Sequence, residues 1–420
     1  MKYWRGFLVA FIFAAITWGL NLFAAGHTAL VDMVYPYVSR LAVGSIAQWS
    51  SGIGGCLWQT LLLILVLGIV ASLVLVLLFK RNPIRWLGWV LAIACGIHMG
   101  STLLYGLNKY ASPVSEDARL VMTDYTVSEL VEATKYYRDQ ANNLATSVKR
   151  NEQGELALPE FEELAQMAGQ GFRAMTYDHA ISLFAGTTVP VKKLGWTIFY
   201  GGTSGVTVPL TGEACVNPNT PSVALPFAMC KEMAKRMTVS REEDAKYAAF
   251  LAAEANESDL FRYSAYCIAY YHCYHTLAAV STSTAQQATN QMASGVNPML
   301  KADLDRYEKF FGEFKDAAGD SFADMLTAKY IELFITPLHV EQEDPFDPKD
   351  PSKVDLSYVK PTPSPLKEPS RDEIPEETEP DDKFFGDEEL DDNFGDAGSD
   401  AEFKEDVEED SAEDSEDEEG

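Results

Sequence analysis

The sequence predicts a mainly α-helical chain with three transmembrane helices, an α-rich soluble body with a small β region, and a disordered acidic tail. Three observations support this fold class. Long segments near the N-terminus carry no charged side chain, the middle of the chain shows amphipathic helical patterns, and residues 341–420 are dominated by acidic residues and proline. With 47 % hydrophobic residues among 420, the chain can supply both a core and lipid-facing surface.

Residues 6–25 and 56–79 are free of charge and apolar enough to cross a membrane, since ~20 residues at ~1.5 Å each span its hydrocarbon core. Residues 86–107 form a third, less apolar segment without formal charge. A loop with a single basic residue, Arg40, is expected between the first two segments. The first segment could alternatively be a cleaved signal peptide, because it begins with Lys2 and Arg5 and ends in small residues.

Basic residues predict the orientation of these segments. Lys2 and Arg5 precede the first segment, and Lys80, Arg81 and Arg85 lie between the second and third. The positive-inside rule places both stretches in the cytoplasm. An odd number of spans then places the rest of the chain outside. We therefore expect a multi-pass protein of the cell membrane with the N-terminus cytoplasmic and the body and tail extracytoplasmic.

The body, residues 110–340, should be helical with one β region. Thr126 and Glu129 form a T-x-x-E capping box ahead of a stretch without proline or glycine. Further helices are predicted over residues 158–168, 224–237, 241–255, 258–280 and 298–334. Residues 186–216 are rich in threonine, valine and glycine, which predicts short strands and turns. Residues 1–109 form the membrane region that precedes this body.

The tail, residues 341–420, carries most of the net charge. The whole chain has 62 acidic and 33 basic residues and a charge of −29, of which the tail contributes −26. Such a segment buries too little to offset its ordering entropy and should be disordered. The body is nearly neutral, so nothing in it predicts nucleic-acid binding, which requires clustered Lys and Arg.

The stretch 207–251 carries the most informative motifs. A TGEACVN turn contains Thr211, Gly212, Glu213 and Asn217; an LPF triplet at 225–227 opens a helix, and an acidic EEDA stretch follows at 242–245. In these features the chain resembles a bacterial membrane-anchored family known as domain of unknown function 3810, over about residues 1–335. Members of that family look like zinc metallopeptidases of the zincin type. The resemblance implies a zincin-like body anchored in the cell envelope.

The resemblance also implies an H-E-x-x-H zinc motif where this chain has Lys231, Glu232 and Lys235. A helix places positions i and i+4 on one face, where two imidazoles can bind one zinc ion. A protonated lysine has no lone pair for a metal. We therefore expect no metal and no cofactor. Glu232 keeps the general-base position, and Asp244, or alternatively Glu242, takes the place of an acidic third ligand. We expect the two ammonium groups to replace the ion's charge, paired with Asp244 and Glu232.

Alternatives remain at this stage. The two lysines and Glu232 could simply be a solvated helix face. His272 and His275 lie three residues apart on one predicted helix, with Cys267 nearby, and could hold a metal with acidic residues in a working hydrolase. Cys215 and Cys230 could form a disulfide. The Asp178–His179 pair is interpreted as structural.

The sequence therefore favours a membrane-anchored, metallopeptidase-like pseudoenzyme that acts by binding a peptide or an envelope protein. Its other expected partner is the lipid bilayer. An active zinc peptidase with non-standard ligands and a structural envelope protein whose acidic tail is functional are the two alternatives. The sequence predicts neither a substrate nor an oligomeric state.

Overall fold

The structure is a computed structural model that describes residues 4–112, 125–175, 189–196 and 203–318. These ranges are mostly helical. In chain order the helices are α1 (Arg5–Gly26), α2 (Thr28–Ser51), α3 (Leu57–Leu78), α4 (Pro83–Leu104), a 3₁₀ helix (Gly106–Tyr110), α5 (Val127–Ala145), α6 (Phe161–Met175), α7 (Leu225–Arg236), α8 (Glu242–Glu254), α9 (Asp259–Ala279), α10 (Ser283–Ser294) and α11 (Pro298–Ala318).

Helices α1, α3 and α4 confirm the three predicted apolar segments. Each is 22 residues long and apolar enough to cross a membrane, and most of their side chains are exposed. Helices α1 and α4 pack closely at two glycines. A Cβ atom added to Gly6 would lie 2.5 Å from the carbonyl carbon of Gly88, so the two backbones meet where neither residue has a side chain.

The expectation of a loop between the first two segments was wrong, because residues 28–51 form helix α2. Small and aliphatic residues such as Val43 and Ala47 are buried on one side of α2. That side faces the body: the Arg40 guanidinium donates to the carbonyl of Met237 at 3.3 Å. The helix was missed because its apolar residues are interrupted by Asp32, Pro36 and Arg40.

Each apolar helix has one end next to the body: the C-terminal end of α1, the N-terminal end of α3 and the C-terminal end of α4. The C-terminal end of α1 contacts the 3₁₀ helix, with the Tyr110 hydroxyl donating to Asn21 Oδ1 at 3.1 Å. The start of α3 is hydrogen-bonded to the body through Glu213. After the end of α4, the Tyr105 hydroxyl donates to the carbonyl of Val239 at 3.2 Å. These contacts place the three ends on the same side of the anchor.

The body has a helical core. Helix α5 begins at the predicted capping box, which the structure confirms: Thr126 and Glu129 exchange side-chain-to-backbone hydrogen bonds of 2.6 and 3.2 Å. Helices α7, α8 and α9 confirm the predicted helical stretches to within one residue at each end; α6 begins three residues and ends seven residues later than predicted, and α10 was not predicted. Fully buried aromatic side chains fill the core, among them Tyr137, Phe172, Tyr247, Phe261, Tyr263 and Tyr270.

A three-stranded sheet lies beside α7 and confirms the small β region. It comprises β1 (Lys192–Lys193), β2 (Gly205–Val208) and β3 (Glu213–Val216) in the order β1-β3-β2. Strand β3 pairs parallel with β1 and antiparallel with β2, with Val206 opposite Cys215. The predictions for Asp178–His179, for the second half of the last helix and for the tail lie outside the described residues.

Candidate functional site

Helix α7 carries the three residues that the sequence singled out. It begins at Leu225 with Pro226 in its first turn, a position where the missing N–H of proline has no intrahelical partner. The helix packs against β2 and β3 on one side and against α8 on another. This placement brings the face with Lys231, Glu232 and Lys235 against the first turn of α8.

The two lysines share one carboxylate on α8. The Lys231 ammonium lies 3.0 Å from Glu242 Oε1, and Lys235 forms an ion pair with Glu242 Oε2. Both ammonium groups also approach Glu232 Oε1, at 3.5 Å for Lys231 and 3.8 Å for Lys235. We call these four residues, Lys231, Glu232, Lys235 and Glu242, the lysine–glutamate cluster. Its formal charges sum to zero.

Glu232 is the most enclosed member of the cluster, with a fully buried side chain. Its Oε2 accepts a hydrogen bond from the Thr207 hydroxyl at 2.9 Å, while its Oε1 is buried and has no hydrogen-bond partner among the described residues. Strand β2 presses on this carboxyl group: a Cβ atom on Gly205 would lie 2.6 Å from Glu232 Cγ. Lys231 has a second polar contact, to the Ser204 hydroxyl at 3.2 Å.

Mutual attraction outweighs burial in the pKa values of the cluster. Burial alone would lower the pKa of Lys231, but Glu242 and Glu232 raise it above its ordinary value. Burial would likewise raise the pKa of Glu242, yet Lys231 and Lys235 hold it well below its usual range. Burial lowers the pKa of a further amine, Lys246, to about 8. The attraction of Glu242 opposes this shift, and the charges of the two neighbouring lysines add to it.

The donor set of the cluster does not fit a metal. Ammonium groups donate hydrogen and offer no lone pair, and two of them would repel a dication. Among the described residues, no group of three or more histidine, cysteine, aspartate or glutamate side chains is placed to hold a metal ion. His272 and His275 therefore do not belong to such a group within the described residues. His272 is buried in the core, where burial lowers its pKa well below the ordinary range.

Of the two acidic candidates on α8, the structure brings Glu242 to the lysines, and the expected pairing with Asp244 was wrong. Asp244 is buried, and its carboxylate lies 3.6 Å from the guanidinium of Arg241. It also lines a cavity of about 240 Å³ together with Arg40 of α2. Residues two apart on a helix point about 200° apart, so Glu242 and Asp244 cannot face the same neighbour.

Glu213 of the TGEACVN turn, to which the sequence analysis assigned no role of its own, binds the start of helix α3. Its Oε1 accepts from Leu57 N–H at 2.8 Å and its Oε2 from Trp58 N–H at 2.8 Å, at the start of α3. Lys192 on β1 pairs with Oε1 at 2.7 Å. Helix α3 has no capping side chain of its own, so Glu213 satisfies two of its free amides and carries a charge that favours a helix N-terminus.

The Lys192 ammonium completes this arrangement. It donates to the backbone carbonyls of Ser50, Ile53 and Gly55 at 2.7 to 3.0 Å, in the link between α2 and α3. We call Glu213 and Lys192, with the backbone groups that they bind, the anchor clamp. It joins the sheet of the body to the membrane region.

The other turn residues serve the same junction. Gly212 has a φ of +64°, and a Cβ there would lie 2.4 Å from the backbone nitrogen of Ala47 on α2. The Thr211 hydroxyl donates to the carbonyl of Val208 at 3.4 Å. Asn217 donates from its side chain to the carbonyl of Thr203 at 3.0 Å. The turn therefore closes the β2–β3 hairpin against α2 and α3.

Sequence reasoning missed the partners that the fold supplies. Lys192 lies on β1, Thr207 on β2 and Ser204 just before β2; none of them carries a motif, and their positions became informative only once the sheet was known. The Cys215–Cys230 disulfide offered as an alternative is not formed, because Cys230 lies in the main helical core and Cys215 in a separate small cluster with Cys56 and Leu194. The Sγ atoms of Cys215 and Cys56 are in contact.

A family model supports the resemblance. The model for "Protein of unknown function (DUF3810)" matches residues 31–332, which is more than two thirds of the chain. The chain belongs to the DUF3810 family. The DUF3810 match begins inside α2, later than the expected start near residue 1, and it includes the cluster and the clamp. Neither a curated protein nor a solved structure matches the chain.

Proposed function

We propose that this chain is a membrane-anchored, extracytoplasmic, peptidase-like protein that has lost its metal and acts by binding an extended peptide or a segment of an envelope protein. One observation carries the proposal. At the spacing where a zinc peptidase would have two histidines, Lys231 and Lys235 bracket Glu232 and reach a carboxylate of the next helix at Glu242. The charge of a dication is thus supplied by two fixed amines.

The surroundings of Glu232 argue against hydrolysis. A general base must lie within hydrogen-bond reach of the water that it activates. Glu232 is fully buried, one of its oxygens is held by Thr207, and both lysines attract the other. Nor does an electrophile replace the metal, because the ammonium groups are already paired with Glu242. The site therefore favours binding over chemistry.

Strand β2 supplies a plausible binding edge. It pairs with β3 on one side, and no described strand pairs with it on the other. Asn217 N–H donates to the carbonyl of Ser204 at 2.8 Å, so the antiparallel alternation directs the backbone groups of Gly205 and Thr207 away from β3. We expect an extended peptide to pair there, beside the strand whose residues Gly205 and Thr207 contact Glu232.

The extracytoplasmic placement follows from charge. Lys80 and Arg81 lie in the link between α3 and α4, at the ends of these helices opposite to those that contact the body. The positive-inside rule then places the body outside. Cysteine-accessibility labelling of intact cells, with Gln287→Cys in the body and Arg81→Cys in the link, should modify only the body site.

Metal titration of the full chain in detergent micelles tests the origin of the cluster. We expect the wild type to bind no zinc tightly and the Lys231→His/Lys235→His variant to bind about one equivalent, since two imidazoles and Glu242 make a His₂Glu set. The Lys231→Gln/Lys235→Gln variant is the control that removes the ammonium groups without adding ligands. Tight stoichiometric zinc binding by the wild type, with peptide hydrolysis abolished by Glu232→Gln, would refute the proposal.

A second matched pair identifies the carboxylate of the original site. In the Lys231→His/Lys235→His background, Glu242→Gln should weaken zinc binding by at least tenfold, and Asp244→Asn should leave it nearly unchanged. Equal effects of both substitutions would mean that the cluster does not preserve the geometry of a metal site.

Peptide binding has its own test. Fluorescein-labelled extended octapeptides of varied sequence are titrated with the full chain, and each binder is compared with a version N-methylated at alternate residues. Pairing along β2 requires backbone N–H groups, so methylation in one register should abolish binding and methylation in the other should not. Equal binding of all versions would contradict strand pairing.

A further inference from the structure

Two cysteines that are far apart in sequence meet at the junction of anchor and body. Cys56 immediately precedes α3, Cys215 lies on β3, and their Sγ atoms are 2.9 Å apart across 159 positions of sequence. Cys56 is 7 % exposed and Cys215 is fully buried. With Leu194 they form a small apolar cluster of their own.

The backbones on both sides of this contact are fixed by bonds that do not involve sulfur. The amide side chain of Gln59 on α3 donates to the carbonyl of Gly195 at 2.8 Å and accepts from its N–H at 3.0 Å. Glu213, two residues from Cys215, binds the first amides of α3. The approach of the two thiols is therefore imposed by the junction.

We propose that Cys56 and Cys215 form a disulfide that ties the outer end of α3 to the central strand of the sheet. A disulfide bond is ~2.05 Å long, so the sulfur atoms need to approach by less than 1 Å. Both thiols lose their protons, one S–S bond forms between them, and the two electrons reduce a disulfide of an oxidant to two thiols. The outward placement in the proposed function supplies an oxidising compartment.

The bond would rigidify the peptide-binding edge. Cys215 lies opposite Val206 of β2, and the next residue of β2, Thr207, holds Glu232. Oxidation therefore fixes the strand pair that supports the lysine–glutamate cluster to the membrane anchor. Cys230, Cys267 and Cys273, all buried in the helical core, serve as internal controls because they should stay reduced.

The test uses the full chain, denatured in SDS without reductant, alkylated, digested and analysed by mass spectrometry. From cells we expect a linked peptide pair containing Cys56 and Cys215, 2 Da lighter than the sum of the reduced peptides, and alkylated Cys230, Cys267 and Cys273. The Cys56→Ser and Cys215→Ser variants should each lose the linked pair and gain one alkylated thiol. Cys230→Ser should leave the linked pair unchanged.

Reduced protein in detergent, exposed to oxidised glutathione, separates this inference from the proposed function. Failure to form the linked pair there overturns the inference, whichever side of the membrane the body occupies. Formation there but not in cells supports the pairing and contradicts the outward placement. Glutathione attached to Cys56 or Cys215 without linkage also counts against the pairing.

A second observation concerns the exposed side of α2. The residues on this side repeat at helical spacing and are mostly apolar: Leu30, Val34, Val38, Leu41 and, further on, Trp49, with the polar residues Ser45 and Gln48 between the last two. Leu41 and Trp49 are 74 % and 68 % exposed, whereas the other side of the helix is buried against the body and the other helices. We call the exposed residues the α2 stripe. Water is a poor solvent for such a surface.

We infer that the α2 stripe lies in the outer interface of the bilayer. Helix α2 connects the C-terminal end of α1 with the start of α3, two spans whose adjoining ends meet the body on the same side, so it must run along the membrane surface. The exposed ring of Trp49 suits the headgroup region, where amphipathic rings are enriched.

Site-directed spin labelling in phosphatidylethanolamine/phosphatidylglycerol nanodiscs tests this inference. A nitroxide at Leu41→Cys should be relaxed more by oxygen than by a water-soluble nickel chelate, and a nitroxide at the exposed body position Gln287→Cys should show the reverse. Equal preference for the nickel chelate at both sites would overturn it. Protection of Leu41 from both reagents would indicate protein contact instead and would also overturn it.

Discussion

The lysine–glutamate cluster and the anchor clamp are both buried pairings of lysine with glutamate, yet they differ in how completely they are satisfied. In the clamp, both oxygens of Glu213 accept hydrogen bonds, and Lys192 donates to three carbonyls besides. In the cluster, Glu232 Oε1 is buried and accepts no hydrogen bond within the part of the chain that the structure describes, although two ammonium groups attract it.

This difference shows which group is a structural joint. Burying charges is costly unless their remaining polar atoms are also bonded. The clamp meets that condition and connects two parts of the chain. The cluster does not meet it, because one of its four charged groups, the Glu232 carboxylate, has an incompletely bonded oxygen. Such an arrangement is typical of a site shaped for something other than stability.

The largest effect should come from breaking the clamp. Glu213→Gln leaves Lys192 without its counter-ion and weakens the caps of α3, so we expect a loss of about 3–5 kcal/mol in the free energy of unfolding. Glu242→Gln should cost less, about 1–2 kcal/mol, because Glu242 is 28 % exposed and solvent screens its pairs. Chemical denaturation of both variants in detergent measures the difference. Equal losses in the free energy of unfolding would contradict the interpretation of the clamp as a structural connection and of the cluster as a functional site.

Two glycines allow a steric version of the same comparison. Gly212→Ala should destabilise the chain by about 2–3 kcal/mol, since the residue has positive φ and the new methyl meets the backbone of α2. In Gly205→Ala the new methyl group meets the Glu232 side chain and, at 2.7 Å, the carbonyl oxygen of Cys215. We expect this substitution to lower the free energy of unfolding by about 1–2 kcal/mol. Thermal unfolding should rank them in this order, and Gly154→Ala, with positive φ but open space, should cost the least of the three.

The pH dependence of stability should reveal the cluster. Because the folded-state pKa of Glu242 is depressed, its stabilisation is complete above its unfolded pKa of ~4.5 and is lost as pH falls below that value. As pH falls from about 5 to 2, the difference in melting temperature between wild type and Glu242→Gln should shrink. A difference that grows on acidification would contradict the assigned ion pairs.

The smallest effect should come from a position distant from both groups. Thr126→Ala removes the hydroxyl that caps α5 and should cost about 1 kcal/mol. It should change neither the pH dependence attributed to Glu242 nor zinc binding by the Lys231→His/Lys235→His variant. Unfolding and metal titration of the triple variant check that the cluster responds only to its own neighbours.

Prediction from sequence succeeded where the signal is local. The apolar spans, the capping box at Thr126 and the helix with Lys231 and Lys235 each follow from composition or spacing within one element. Prediction failed for α2, because its apolar residues are interrupted by Asp32, Pro36 and Arg40. It also found no role for Glu213, because the two amides of α3 that this side chain binds lie 155 and 156 residues away in sequence.

The sequence by itself determined that a helical body accompanies three long apolar helices and that Lys231 and Lys235 lie on one face of a helix, because hydrophobicity and helical periodicity act over a few residues. Only the tertiary structure decided that Glu242 rather than Asp244 meets these lysines, and that Cys215 meets Cys56. The reason is geometric: the direction of a side chain along α8 or β3 is fixed locally, but the neighbour that it meets depends on how distant elements pack.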